Sequence, residues 1–248
     1  METLPSGLII TALTFLLAGF VKGVIGLGLP TVSMGLLALV MAPVQAAALL
    51  VVPSLVTNVW QMAAGPALAP LWRRLWSMMV GIGIGTWAGA GLLTGNNAAT
   101  ATIALGVALT LYALTGLTTL RVTIPARMEW WLSPLVGAAT GFITAATGVF
   151  VIPAVPYLQA IGLEKEELVQ ALGLSFTVST VALAAILAMS GSFAPSVAGT
   201  SLLALAPALA GMYAGQLIRL RARPEVFRRW FFIGLLLLGL YLATRGMI

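Results

Sequence analysis

The chain of 248 residues is 60% hydrophobic and 7% charged, with a mean hydropathy of +1.09, a usage that excludes an ordinary soluble domain and indicates an integral membrane protein. It contains no cysteine and no histidine, which removes disulfides, thiolate chemistry and the commonest metal ligand. Its net charge of +6 comes from short basic clusters between apolar runs, so these charges point to the lipid bilayer as partner and not to nucleic acid.

Ten apolar elements are predicted, at 7–22, 29–41, 45–64, 75–94, 99–120, 130–144, 149–161, 168–189, 197–218 and 227–243. The opening METLPSG lacks the positive region of a secretory signal, so the first element is expected to be retained. The first, second, sixth and seventh elements are short, spanning about 20 to 24 Å as helices, and are expected to tilt little, to enter the bilayer partway or to form hairpins within it. Arg73 and Arg74 follow the third element, Arg121 and Arg127 the fifth, and Arg219, Arg221, Arg223, Arg228 and Arg229 the ninth; these three junctions are expected to be cytoplasmic. The uncharged loops at 94–100 and 190–199 suit the opposite side, and Trp72, Trp76, Trp130, Trp131 and Trp230 flank the basic junctions as an interfacial belt.

Sliding the chain over itself by 122 positions aligns GFVKGVIG (19–26) with GFITAATG (141–148), and pairs Leu36 with Leu158, Leu50 with Leu172 and Val56 with Val178. Four residues of insertion later, GTWAG (85–89) matches GMYAG (211–215). The predicted fold is therefore an all-α polytopic membrane protein made of two repeats, 1–122 and 123–248, each with short or broken helices at its start. Five elements per half is an odd number, so the second half enters from the opposite side and the repeat is inverted. Inverted repeats are a common construction of secondary transporters, with substrate held near the midplane by discontinuous helices.

Within FVKGVIGLGLP (20–30), Gly23, Gly26, Gly28 and Pro30 predict a helix break, which hydrocarbon tolerates only where protein or a water-filled cavity covers it. A helix starting near Pro30 would turn free amides and a positive dipole end toward that break, and glycine lets an anion approach the backbone. ATGVFVIP (146–153) offers the same through Gly148, with Thr144 and Thr147 as hydroxyl donors. Lys22 is the basic residue placed inside an apolar element, where a buried ammonium needs a partner. A bound anion would supply it; the competing reading is a lysine at a helix end that snorkels to the interface.

Ser54, Thr57, Asn58 and Gln61 share one face of the third element, and Ser175 and Ser179 share one of the eighth, with Gln170 and Thr177 beside them. The alternative to substrate binding is hydrogen bonding between helices. Gly81, Gly85 and Gly89, and Gly211 and Gly215, read as close-packing stripes. All acids are glutamates near termini or loops (Glu2, Glu129, Glu164, Glu166, Glu167 and Glu225), so no intramembrane carboxylate relay is expected, and LEKEEL (163–168) reads as a solvated helix start. Metal hydrolysis and Ser/His/Asp catalysis lack their residues, so neither an enzyme nor a cofactor is expected.

GVIGLGLP and ATGVFVIP, with PYLQAIGLEKEELVQALGLSFTVST (156–180), resemble the sulfite exporter TauE/SafE family, and the resemblance covers essentially the whole chain. Many members have a fuller glycine run at the first break; here Leu27 and Leu29 interrupt it. The resemblance implies export of a small sulfur-containing anion, such as sulfite or an organosulfonate like sulfoacetate, across a bacterial inner membrane. Joined to the residues, it predicts alternating access with Lys22 neutralising the substrate and Gly26, Gly28 and Gly148 presenting amides. Ser54, Thr57, Asn58, Gln61, Thr144, Thr147, Gln170, Ser175 and Ser179 complete the expected site, and a homodimer is one expected assembly. The rival functions are an anion channel and a structural membrane partner that transports nothing.

Overall fold

The computed structural model describes residues 3–95, 98–118, 122–219 and 224–246. Ten helices account for the regular structure of these residues: α1 (Thr3–Ile25), α2 (Leu29–Leu37), α3 (Pro43–Ala63), α4 (Leu68–Ala88), α5 (Ala98–Leu117), α6 (Ala126–Thr147), α7 (Ala154–Ala160), α8 (Lys165–Met189), α9 (Pro195–Arg219) and α10 (Pro224–Arg245). All ten predicted elements are present. Six of them, α1, α3, α5, α8, α9 and α10, are long and apolar enough to cross a bilayer. Arg121, Arg221, Arg223, Glu2, and Asn96 and Asn97 of the uncharged loop lie outside the described residues.

The lengths of four elements differ from expectation. The first and sixth are not short, since α1 has 23 residues and α6 has 22. Lys22 and Gly23 lie inside α1 rather than ending it, because Gly23 is a packing position: a Cβ there would stand 2.2 Å from the Met212 carbonyl oxygen of α9. The second and seventh are shorter than predicted, at 9 and 7 residues. In the seventh, Val149–Ile152 stays apolar but not helical, and the Ile152–Pro153 peptide is cis. Nor do Arg73 and Arg74 belong to a loop, as α4 begins at Leu68 and carries both.

The glycine stripes set the helix pairs. A Cβ on Gly85 would lie 1.9 Å from the Ala138 carbonyl oxygen, and one on Gly81 2.4 Å from that of Pro134, so α4 packs backbone to backbone on α6. Gly211 and Gly215 stand in the same relation to Leu16 and Phe20, at 2.0 and 2.2 Å, and join α9 to α1. The reciprocal contacts are Gly141 on Ile82 and Gly19 on Ala208, at 2.1 and 2.0 Å. By contrast Gly83 meets nothing within 4 Å. Gly85→Ala should therefore push the two helices apart at a cost of about 1–3 kcal/mol, whereas Gly83→Ala should be neutral or gain up to about 1 kcal/mol of helix propensity. Thermal unfolding of the two variants in detergent distinguishes them; equal midpoints would refute this seam.

At the centre, α3 packs on α8, α2 lies against α1 and α3, and α7 lies against α8 and α6. Along the apolar stretch of α3, 61% is buried, against 22% for α9 and α10, which places α3 inside and the last two helices at the periphery. Pro53 interrupts the α3 ladder and frees the carbonyl of Leu49. Ser201 of α9 repairs the gap, its Oγ donating to Leu49 O at 2.8 Å and accepting from Val52 N at 3.1 Å. LEKEEL is the exposed start of α8, as expected, and there Glu164 and Glu167 form a reciprocal capping box.

Candidate functional site

Lys22 is 5% exposed and sits in the last turn of α1, where the carbonyl end of the helix favours a cation. Its Nζ donates to Thr57 Oγ1 at 3.1 Å and to Asn58 Oδ1, both on α3. Thr57 can accept because its own hydroxyl donates to Pro53 O at 2.7 Å. Asn58 turns its amide the other way and donates to Thr180 Oγ1 of α8 at 3.3 Å. One chain of hydrogen bonds thus runs from α1 through α3 to α8. An ammonium has three N–H groups and two are used, so one remains. Among the described residues the one ion pair joins Arg74 to Glu129, so Lys22 has no carboxylate partner.

The hydroxyls around this chain fall into two kinds. Thr57, Thr144, Thr147, Thr177 and Thr180 each donate to the carbonyl four residues earlier, all at 2.7 Å. Ser54, Ser175 and Ser179 are fully buried, and their hydroxyls have no partner. Ser54 lies one turn before Asn58 on α3, and Ser179 immediately precedes Thr180 on α8. Buried hydroxyls are normally bonded, so these three stand ready to donate.

Gly26 and Gly28 make the first break, with φ of 82° and 112° that a side chain would resist. Gly26 N still donates to Lys22 O at 2.7 Å, while the space where its Cβ would stand is open. Gly28 caps α2, and since Pro30 has no N–H and Val32 bonds to Gly28 O, Leu29 and Thr31 supply the amides that the helix leaves unused. Gln61 Nε2 donates to Val169 O at 3.0 Å and reaches Gly26 O at 3.5 Å, pinning the break to α8.

The second break is built differently. Gly148 ends α6 with φ of 72°, and Val149 N caps onto Thr147 Oγ1 at 3.1 Å. The non-helical stretch 149–152 follows, so α7 does not begin at the break as α2 does. Gly148 lies against α2 and α3, where an added Cβ would stand 3.0 Å from Met34 Sδ and 3.3 Å from Ala47 Cβ. The two broken segments are neighbours, but they do not present their backbones alike. Gln170 is committed elsewhere: its side chain bonds Met62 O at 2.8 Å, Gly65 O at 2.7 Å and Ala67 N at 2.8 Å, and so holds the turn between α3 and α4.

Arg74 has a role that a topological reading of its charge misses. Its guanidinium forks onto Glu129 at 2.8 and 2.7 Å and also donates to Ile161 O at 2.8 Å, tying α4 to α6 and to the end of α7. The partners are 55 and 87 residues away, beyond the reach of local sequence signals. Two clefts flank Trp72 on the outer side of α4, and neither is lined by Lys22, Thr57 or Asn58.

No curated protein and no solved structure matches the chain. The family model for the sulfite exporter TauE/SafE matches residues 11–242, and with its apolar helices the chain belongs to this family of multi-pass membrane transporters of sulfite and related sulfur anions.

Proposed function

We propose that the chain exports a small sulfur-containing oxyanion or sulfonate from a bacterial cell across the inner membrane, by alternating access of two inverted repeats, 1–122 and 123–248. The observation that carries this reading is the buried Lys22 ammonium, held by neutral oxygens alone and with one N–H to spare.

Two features support the repeat. A shift of 122 residues carries Gly19 to Gly141 and Leu16 to Ala138, while one of 126 carries Ile82 to Ala208 and Gly85 to Gly211. The α1 and α9 seam therefore reuses the contacts of the α6 and α4 seam, residue for residue. In addition, Asn58 and Thr180 are themselves 122 residues apart and bond to each other. A residue that touches its own repeat equivalent must lie near the axis relating the two halves, and in an inverted pair that axis lies in the membrane plane. Lys22, bonded to Asn58, then sits near mid-membrane, where transporters of this construction hold their substrates. Snorkelling to the headgroups is disfavoured by the same burial.

An interior-negative potential drives anions outward by about 2.3 kcal/mol per charge per 100 mV, so export requires no coupled ion. Purified protein in proteoliposomes should show saturable, trans-stimulated exchange of labelled sulfite. Conductance that rises linearly with concentration would instead identify a channel, and absence of flux for sulfite, thiosulfate and organosulfonates would identify a structural protein.

A further inference from the structure

Under the shift of 122 residues Lys22 corresponds to Thr144, Thr57 to Ser179 and Asn58 to Thr180. The repeats thus carry polar residues at the same three positions, but only the first copy carries a charge. Thr57 and Asn58 receive the Lys22 ammonium. In the second copy Thr144 turns its hydroxyl to Thr140 O, and Ser179 is left unpartnered and fully buried. Ser54 and Ser175 add two further free hydroxyls on the same two helices.

From this we infer that the site selects a monovalent anion over a divalent one. The inference rests on the proposed transport site. A charge removed from water must be balanced, because residual net charge in a low-dielectric interior is costly. Lys22 with a singly charged oxyanion sums to zero. With a dianion the same site keeps a negative charge, and the second repeat holds hydroxyls where a second cation would have to stand. Glu129, Glu164, Glu166 and Glu167 lie at helix starts, and none of them pairs with Lys22. Hydroxyl donors suit the oxygens of a sulfonate or bisulfite head, since a neutral donor stabilises partial charge without adding any. Among sulfur anions this favours bisulfite over the sulfite dianion, and a simple alkanesulfonate over one that carries a second carboxylate.

The test is a matched pair of tetrahedral heads, methanesulfonate and sulfate, given to the intact protein in detergent and in proteoliposomes. Methanesulfonate should raise the unfolding temperature and compete with labelled sulfite at concentrations at least about tenfold lower than sulfate. Thr144→Lys, which supplies the missing cation, should narrow or reverse that ratio. Equal or stronger binding of sulfate by the natural protein overturns the inference while leaving anion transport intact. Failure of both anions, together with failure of sulfite itself, removes the transport reading on which it rests. If the lysine variant does not fold, the natural protein with the two anions still decides; if it folds and the preference is unchanged, the assignment of charge selection to these paired positions is wrong.

Discussion

Lys22→Met should cut anion exchange roughly a hundredfold while leaving the protein about as stable as before. An ammonium in a membrane interior loses several kcal/mol of hydration, and its bonds to Thr57 and Asn58 return about 1.5–3 kcal/mol each. Methionine keeps the unbranched shape and needs no partner. After the change Thr57 retains Pro53 O, and Asn58 retains Thr180 but has an idle Oδ1, at a cost of about 1–3 kcal/mol. These terms nearly cancel, so net stability should move by no more than about 2 kcal/mol in either direction. Anion exchange, by contrast, loses a charge-assisted contact worth about 3 kcal/mol, or roughly a hundredfold. Flux and thermal unfolding measured on the same preparation separate the two. A variant that is strongly destabilised yet transports at the natural rate would make Lys22 helix glue and nothing more.

The sign of that stability change matters because it divides stabilising roles from functional ones. Residues retained only for packing should cost stability when altered, as is expected of Gly85 at its seam with Ala138. A charge retained at the expense of hydration, with no carboxylate to balance it, fits a ligand better than a fold. The neighbouring threonines behave as structure, since each bonds back to its own helix. Ser54, Ser175 and Ser179 do not, although serine has the same option.

Much of this is legible in the sequence. The ten elements follow from apolar runs punctuated by Gly and Pro, both of them local signals. The end of α1 is not set locally, because Gly23 can break a helix or pack it, and its contact with Met212 of α9 decides for packing. The start of α7 is not legible, because an apolar run such as 149–152 reads alike whether or not it is helical. Lys22 stood out as a lone charge, and the polar face of α3 as a candidate partner. Their meeting depends on how α1 lies on α3, which periodicity does not encode. The Asn58 and Thr180 bond was implicit in the 122-residue offset, but an offset relates positions without saying that they touch.

The second large effect expected is at Arg74 and Glu129, where each single change should destabilise the protein and the double change should largely restore it. Glu129 is nearly buried, its side chain 11% exposed, in the first turn of α6, where the helix dipole favours an anion. Arg74, 37% exposed, lies in the second turn of α4 and is held by the Glu129 fork and by Ile161 O. Removing one partner of a fully buried pair costs about 3–5 kcal/mol. Here the solvent reaching Arg74 lowers the expectation to about 2 kcal/mol for Arg74→Met or Glu129→Met. The double variant Arg74→Met with Glu129→Met leaves no unpaired charge and should recover most of that loss, giving a coupling energy of about 1–2 kcal/mol in a thermal or denaturant cycle. Exchange should also fall in Arg74→Met, which loses the bond to Ile161 O at the end of α7, and should not recover in the double variant, which lacks that bond as well. A cycle that restores both stability and exchange would confine the pair to holding α4 against α6. Restored stability with impaired exchange would tie the position of the second broken segment to transport.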